Sequence, residues 1–431
     1  MKEFFQHAPT ANACHVYGML KKASKRRHLS FHTPGHKRPN WDITELSFSD
    51  CLADPQGVIL QAQRDVEGIV KSKASEFLTD GSTSGVYTLL YLLKSKGVEK
   101  VAVSPFSHIS VFRGLALLGL QPVMIEGQTP FSQPTETQIA TALAKADALF
   151  LTSPNYYGKT ADLSSARRLV DKQNKYFVVD QAHGAHLHHK PWQYAGNYAD
   201  GWVDGAHKSL PCMTQGALVS VAREDWVDGL RAIAPLFRTT SPSYPILASI
   251  EYAYKYPRNT ALEGLAATFI RENPHRLLPA EDWTKICAYF GSQCESVQKA
   301  LEKKGIYAEF CDGAFLTFYL SPATKIGEFN RLKKMLSWAF SLYPVKEGEM
   351  EDAIAAPATI TPISGKTEWI LIENAVGRVA SSSFGIFPPC LPLATDGRRI
   401  DEQIVARMQG AAHTFGVERG RIQVYEEGEK R

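Results

Sequence analysis

From about Phe77 to Val221 the chain repeats one pattern: a short apolar run, a turn of small or polar residues, then a stretch with apolar positions at helical spacing. This alternation predicts an α/β domain whose strands are covered on both faces. Strands are expected at Val101–Ser104, Pro122–Glu126, Ala148–Thr152, Phe177–Asp180 and Gly216–Val221. Helices are expected at Val86–Lys96, Ser110–Leu118 and Leu163–Asn174, the last with Asp162 as its N-cap. Beyond about Pro274 the pattern changes to a long helical stretch over Glu281–Lys304, a strand within Ala314–Leu320 and a helix over Glu328–Ser341. Residues 1–45 carry few periodic signals and read as an arm that packs on the large domain or on a second subunit. The expected organisation is this N-terminal arm, a large domain over 46–275 and a smaller α+β domain over 276–431.

Composition narrows the class. Of 431 residues 44% are hydrophobic, and no low-complexity segment interrupts them, which predicts an ordered globular chain. The net charge of +4 is spread out except for the cluster from Lys21 to Arg27, which reads as a solvated helix end, so no nucleic-acid partner is expected. Cysteines without a Cys-x-x-Cys pair point to a reduced, cytoplasmic protein. The stretch Met1–His7 lacks the apolar core of a signal peptide and no apolar run is long enough to span a bilayer, so neither export nor a membrane partner is expected.

In open α/β sheets ligands sit at the carboxyl ends of strands, where Ser104–His108, Ser153–Tyr157 and Asp180–His183 fall. Asp180 ends a strongly apolar run, and a second apolar run, Trp202–Ala206, leads into His207 and Lys208. A desolvated lysine amine can condense with the aldehyde of pyridoxal 5'-phosphate, and a partly buried aspartate can hold that cofactor's ring nitrogen protonated. The small and hydroxyl residues of Asp80–Gly85, before a helix, suit its phosphate. His108 is a candidate to lie flat on the cofactor ring and assist proton transfer. Two other patterns read as decoys. His183, His186, His188 and His189 lack the fixed ligand spacing of a zinc site, so no metal is expected. Gly158-Lys159-Thr160 lacks the earlier glycine of a nucleotide-binding loop, since Ser153 stands there.

These segments, taken in order, resemble the Orn/Lys/Arg decarboxylase family. The likeness is carried by Phe31-His32-Thr33-Pro34-Gly35-His36-Lys37, Asp42-Ile43-Thr44-Glu45, Asp80-Gly81-Ser82-Thr83-Ser84-Gly85, Ser107-His108 and Ser153-Pro154-Asn155-Tyr156-Tyr157-Gly158. It continues through Asp180-Gln181-Ala182-His183-Gly184-Ala185-His186, His207-Lys208-Ser209-Leu210-Pro211, Thr240-Ser241-Pro242-Ser243-Tyr244-Pro245 and Ala375-Val376-Gly377-Arg378-Val379-Ala380. The resemblance implies the aspartate aminotransferase-like fold (fold type I), with a mostly parallel central sheet and a smaller α+β C-terminal domain. It also implies a short form of the family without a further N-terminal domain, and a homodimer or larger assembly in which two subunits build each site. The roles it implies are Lys208 as the lysine that binds the cofactor, Asp180 opposite the ring nitrogen and His108 against the ring. Ser82, Thr83 and Ser84 would form the phosphate cup. Ala182 would pack beneath the ring, His183 would join the cofactor-binding set, and His207 would lie beside phosphate or substrate. The implied reaction releases carbon dioxide and an amine from a basic amino acid: lysine, ornithine or arginine.

The chain also departs from the family pattern. Gln181 stands for a glutamate, Pro105-Phe106 for an Arg-Asn pair, Asp50-Cys51 for an acidic pair and Gly205-Ala206 for a hydroxyl residue. Pro388-Pro389-Cys390-Leu391-Pro392 and Asp396-Gly397-Arg398 replace Pro-Pro-Gly-Ile-Pro and Pro-Gly-Glu. Either these positions have changed the substrate or the turnover, or they lie outside the pocket and are neutral. Alternative readings are an aminotransferase, which needs a positive clamp such as Arg378 or Arg398, and a regulatory or scaffold relative.

Overall fold

The computed structural model describes residues 1, 3–26, 29–38, 40–355, 366–386, 391–394, 397–411 and 413–426. Strands β1 (Ala74–Leu78), β2 (Lys100–Val103), β3 (Gln121–Met124), β4 (Ala148–Thr152), β5 (Tyr176–Gln181), β6 (Gly201–Asp204) and β7 (Ala217–Val221) form one sheet in the order β1-β7-β6-β5-β4-β2-β3. Neighbours from β6 to β3 are parallel, while β7 runs against both β6 and β1. Alternate side chains feed two cores: Leu149, Leu151, Phe177 and Val179 pack on one face, and Ala148, Phe150, Val178 and Val203 on the other. Burial on both faces explains why these strands read as continuous apolar runs.

Helices α1 (Ala8–Asn12) and α2 (His15–Ala23) precede α3 (Val58–Val70), α4 (Ser82–Ser95), α5 (Ile109–Leu118), α6 (Glu136–Leu143) and α7 (Leu163–Lys172). Asp162 caps α7, its carboxylate accepting the Ser165 N–H at 3.0 Å. Helix α4 begins earlier than its apolar periodicity predicts: Gly81, at φ +81°, turns the chain so that Ser82, Thr83 and Ser84 form the first turn. After α8 (Ala206–Ser209) come α9 (Val227–Phe237), α10 (Tyr244–Lys255) and α11 (Thr260–Glu272). Helix α2 has no cap from Cys14; instead the buried Glu251 of α10 accepts the N–H groups of His15 at 2.7 Å and Val16 at 3.0 Å.

The expected helix over Glu281–Lys304 is wrong in its first half. Lys285–Tyr289 is a strand, β8, antiparallel to Phe315–Tyr319 (β10), which also pairs with Phe310–Cys311 (β9). The reason is a two-residue period: Ile286 and Ala288 enter one core cluster, Cys287 and Tyr289 another. Gly291, at φ +55°, then separates the strand from α12 (Cys294–Glu302). The expected helix at Glu328–Ser341 is present as α13 (Ile326–Leu342). Further on, Thr367–Leu371 pairs with Arg421–Tyr425, and Phe384–Ile386 lies between Leu391–Ala394 and Thr414–Phe415.

Candidate active site

Asp180 lies at the carboxyl end of β5 and is 3% exposed. Among the described residues its carboxylate has one hydrogen bond, from the Ala182 N–H at 3.0 Å. One strand over, β6 ends at Asp204, and the chain turns through Gly205 into the short helix α8, which carries His207 and Lys208. Only glycine fits that turn, since a Cβ at position 205 would lie 2.5 Å from the Ala182 carbonyl oxygen. The half-buried Lys208 places Nζ 3.2 Å from His183 Nε2. Its charge acts on Asp180, His108, His183 and His207 alike, so the structure brings these five side chains to one place.

The remaining expected residues border the same place. The loop before β7 joins its two sides: Gly81 N–H donates to Gln215 O at 2.8 Å, and His207 N–H donates to Gly216 O at 3.0 Å. The His207 ring also donates through Nδ1 to that Gly216 carbonyl, 3.0 Å away. Ser84 is buried and its hydroxyl donates to Gly81 O at 2.8 Å, whereas Ser82 and Thr83 are half-buried at the open end of α4. The first-turn N–H groups there have no intrahelical acceptors. His108 is the N-cap of α5; its Nδ1 accepts the Ser110 N–H at 3.1 Å, which leaves the proton of the neutral ring on Nε2.

Electrostatics favours neutral histidine rings around Lys208. Burial, then Lys208 and Arg113, push His108 down to about 3. Burial also holds His183 well below its ordinary value, helped by Lys208 and Lys285. Asp180 is raised by burial and pulled back by Lys208 and the Ala182 N–H. A buried carboxylate with a single donor fits a partner that brings its own N–H and positive charge, as a protonated pyridine nitrogen does. The open α4 terminus fits a phosphate. Pyridoxal phosphate therefore fits the residues present.

Some departures from the family pattern point away from this place. Gln181 faces the other side of β5, where its amide donates to Gln193 O at 3.3 Å and accepts the Ala195 N–H at 3.2 Å. The Cys51 N–H donates to Asp50, whose carboxylate also receives the N–H groups of Gln56, Gly57 and Ile59 at the start of α3. Ala206 is wholly buried. Pro105 lies beside Phe106, which is buried against Tyr156 and Tyr157, with the Arg398 guanidinium 6.0 Å from its ring. Pro388, Pro389, Cys390 and Asp396 lie outside the described residues. Arg378 is engaged elsewhere, with Glu368 at 2.5 Å and Tyr425 O at 2.8 Å.

The four clustered histidines diverge: His183 to Lys208, His186 to Asp282, His188 to the Ala185 carbonyl, and His189 against the His188 ring. Gly158-Lys159-Thr160 is a turn tied to Glu281, through Lys159 at 3.7 Å and the Thr160 N–H at 3.2 Å. Sequence reasoning missed Tyr156 and Tyr319, whose rings flank His183 at 4.8 and 5.6 Å, and the buried Asp282 and Lys285 behind it. The signal for the last two was available: a charged pair opening the apolar run Ile286–Phe290.

Residues 15–276 match the family described as Orn/Lys/Arg decarboxylase, major domain. The uncharacterized protein YaaO of Bacillus subtilis (strain 168) is 27% identical over 454 residues, covering 91% of this chain and 93% of that protein. An arginine decarboxylase of the same organism is 24% identical over 91% of this chain and 92% of its own. Among solved structures, the constitutive lysine decarboxylase of E. coli superposes with a TM-score of 0.68 at 18% identity, over 97% of this chain and 82% of that one. The fold is that of the fold type I enzymes, with the mostly parallel central sheet expected from sequence.

Proposed function

The chain belongs to the Orn/Lys/Arg decarboxylase family, and from that premise we propose that it uses pyridoxal 5'-phosphate to decarboxylate a basic amino acid, lysine, ornithine or arginine, releasing an amine and carbon dioxide. The observation that carries this reading is Lys208 Nζ at 3.2 Å from His183 Nε2, where its charge also reaches Asp180 and His108. Pyridoxal phosphate, when bound, supplies an electrophilic carbon for an amine and a ring that takes up the electron pair left by the departing carboxylate. Lys208 holds the cofactor through its amine. Asp180 keeps a proton on the ring nitrogen, Ser82 and Thr83 with the first-turn N–H groups of α4 hold the phosphate, and His108 and Ala182 bracket the ring. Ser84 and His207 support this cup through Gly81 and Gly216. Lys208 Nζ, with His183 Nε2 accepting from it at 3.2 Å, is the group placed to deliver a proton to the substrate α-carbon.

We extend the proposal to a homodimer or larger assembly with shared sites in the cytoplasm. In support, the family motif Phe31–Lys37 leaves Phe31 94% exposed beside Leu29 at 87%, an apolar surface suited to a second subunit. No helix among the described residues is long and apolar enough to cross a membrane. One observation favours a second reading: Arg398, beside Phe106 and two positions from His108 in that loop, is a cation suited to a substrate carboxylate rather than a cationic tail.

The test is reconstitution with pyridoxal phosphate followed by a panel of amino acids. The visible band of bound cofactor is expected in the native protein and absent in Lys208→Ala. Amine with carbon dioxide from lysine, ornithine or arginine supports the proposal. Keto acid without carbon dioxide supports the Arg398 reading, and a protein that takes up no cofactor overturns both.

A further inference from the structure

Strand β8 opens with a lysine that is wholly buried. An ammonium has three N–H donors, and around Lys285 Nζ stand three acceptors: His183 O at 2.7 Å, Thr284 Oγ1 at 2.8 Å and Asp282 Oδ2 at 2.9 Å. The Tyr319 ring lies 4.9 Å from it. Asp282 Oδ1 in turn accepts from His186 Nε2 and the Thr284 N–H, each at 2.9 Å, and from Thr284 Oγ1 at 2.7 Å. The Asp282 N–H donates to Gly158 O at 3.0 Å. The loops after β4 and β5 are thus fastened to the residues that begin β8. A buried ion pair gives little net stability over apolar residues of the same shape, because desolvation offsets its attraction. Stability alone does not account for it.

The network ends on the residue that meets Lys208. His183 gives its carbonyl to Lys285 and its Nε2 to Lys208, while its ring is wedged between Tyr156 and Tyr319. We propose that Lys285, locked by Asp282, is a positioning residue for His183: it fixes the loop so that Nε2 faces Lys208 and, by its charge, keeps that ring an acceptor. The catalytic consequence rests on the reading of Lys208 as the cofactor lysine; the contact itself does not. The charged and titratable groups facing His183 are Lys208 from α8, His108 from the loop after β2, Lys285 and Asp282 from β8 and its approach, and the phenols of Tyr156 and Tyr319 that flank its ring. Burial, Lys208, Lys285 and His108 oppose its protonation, and Asp282 alone favours it. Without the ammonium at 285, one of the charges opposing Asp282 is gone, while burial, Lys208 and His108 still hold the ring down.

The test is an NMR titration of the histidine rings in cofactor-free protein, so it stands apart from any failure to bind pyridoxal phosphate. In native protein His183 is expected as the Nδ1–H tautomer with Nε2 accepting; a ring carrying its proton on Nε2 overturns the proposal without any variant being needed. In Lys285→Gln the acid transition of His183 is expected to rise by about one pH unit or more. Lys285→Arg, which retains the charge, and the double variant Lys285→Gln/Asp282→Asn are expected to keep it near the native position. A merely structural role predicts loss of stability in all three with no displacement of the transition, and coincident curves for native and Lys285→Gln protein overturn the proposal.

Discussion

Asp180 and Gln181 are consecutive in β5 and face opposite sides of the sheet, the first toward the charge of Lys208, the second toward the backbone of Gln193 and Ala195. An amide suits a place offering one acceptor and one donor; a carboxylate does not. Gln181→Glu is expected to lose about 1–3 kcal/mol in urea denaturation, with the absorbance of bound cofactor unchanged.

The phosphate cup is unequal. Ser82→Ala and Thr83→Ala are each expected to weaken retention of pyridoxal phosphate about tenfold, the value of one charge-assisted hydrogen bond. Ser84→Ala, whose hydroxyl is engaged with Gly81 O, is expected to change retention far less. Equilibrium dialysis of the three variants checks the order.

At position 205 the constraint is steric. Gly205→Ala sets a methyl carbon against the Ala182 carbonyl at 2.5 Å, so either the end of β6 or the residues after β5 must shift. The expected outcome is a loss of at least about 2 kcal/mol of stability together with weakened cofactor binding, since both shifts displace groups around Lys208. Thermal denaturation and cofactor titration check it.

Burial raises Asp204 from its ordinary 3.8 to about 7, the hydrogen bonds from Tyr194, Tyr254 and Trp202 notwithstanding. The folded protein thus binds a proton at this site more tightly than the unfolded chain. The resulting stability is present in full below the unfolded value and is lost as pH rises through about 7. Asp204→Asn, which keeps an acceptor for the two tyrosines, is expected to gain stability relative to the native protein by a few kcal/mol between about pH 5 and about pH 8.5. Urea denaturation at the two pH values measures it.

The central sheet was legible because its strands are short, apolar and bounded by turn residues. Asp180 and Lys208 were legible because each charge sits against an apolar run that cannot solvate it. Strand β8 was not, because Lys285 and Cys287 among apolar neighbours fit a helical period as readily as a strand, and only the two flanking cores decide. The bond between Lys285 and His183 spans 102 positions, beyond the reach of any local pattern. Gln181 shows the converse: its place in a motif left its relation to the pocket open, and the alternation of a strand turns it away.

Among the described residues strand β1 bonds in the sheet only to β7, with Ala74 opposite Val221, and α2 receives its cap from Glu251. A nascent polypeptide emerging from the ribosome cannot satisfy β1 until residues 217–221 have been translated, nor cap α2 until Glu251 has been. The early segments therefore wait unpaired, and the closure of β1 is tied to the arrival of the residues just past Lys208.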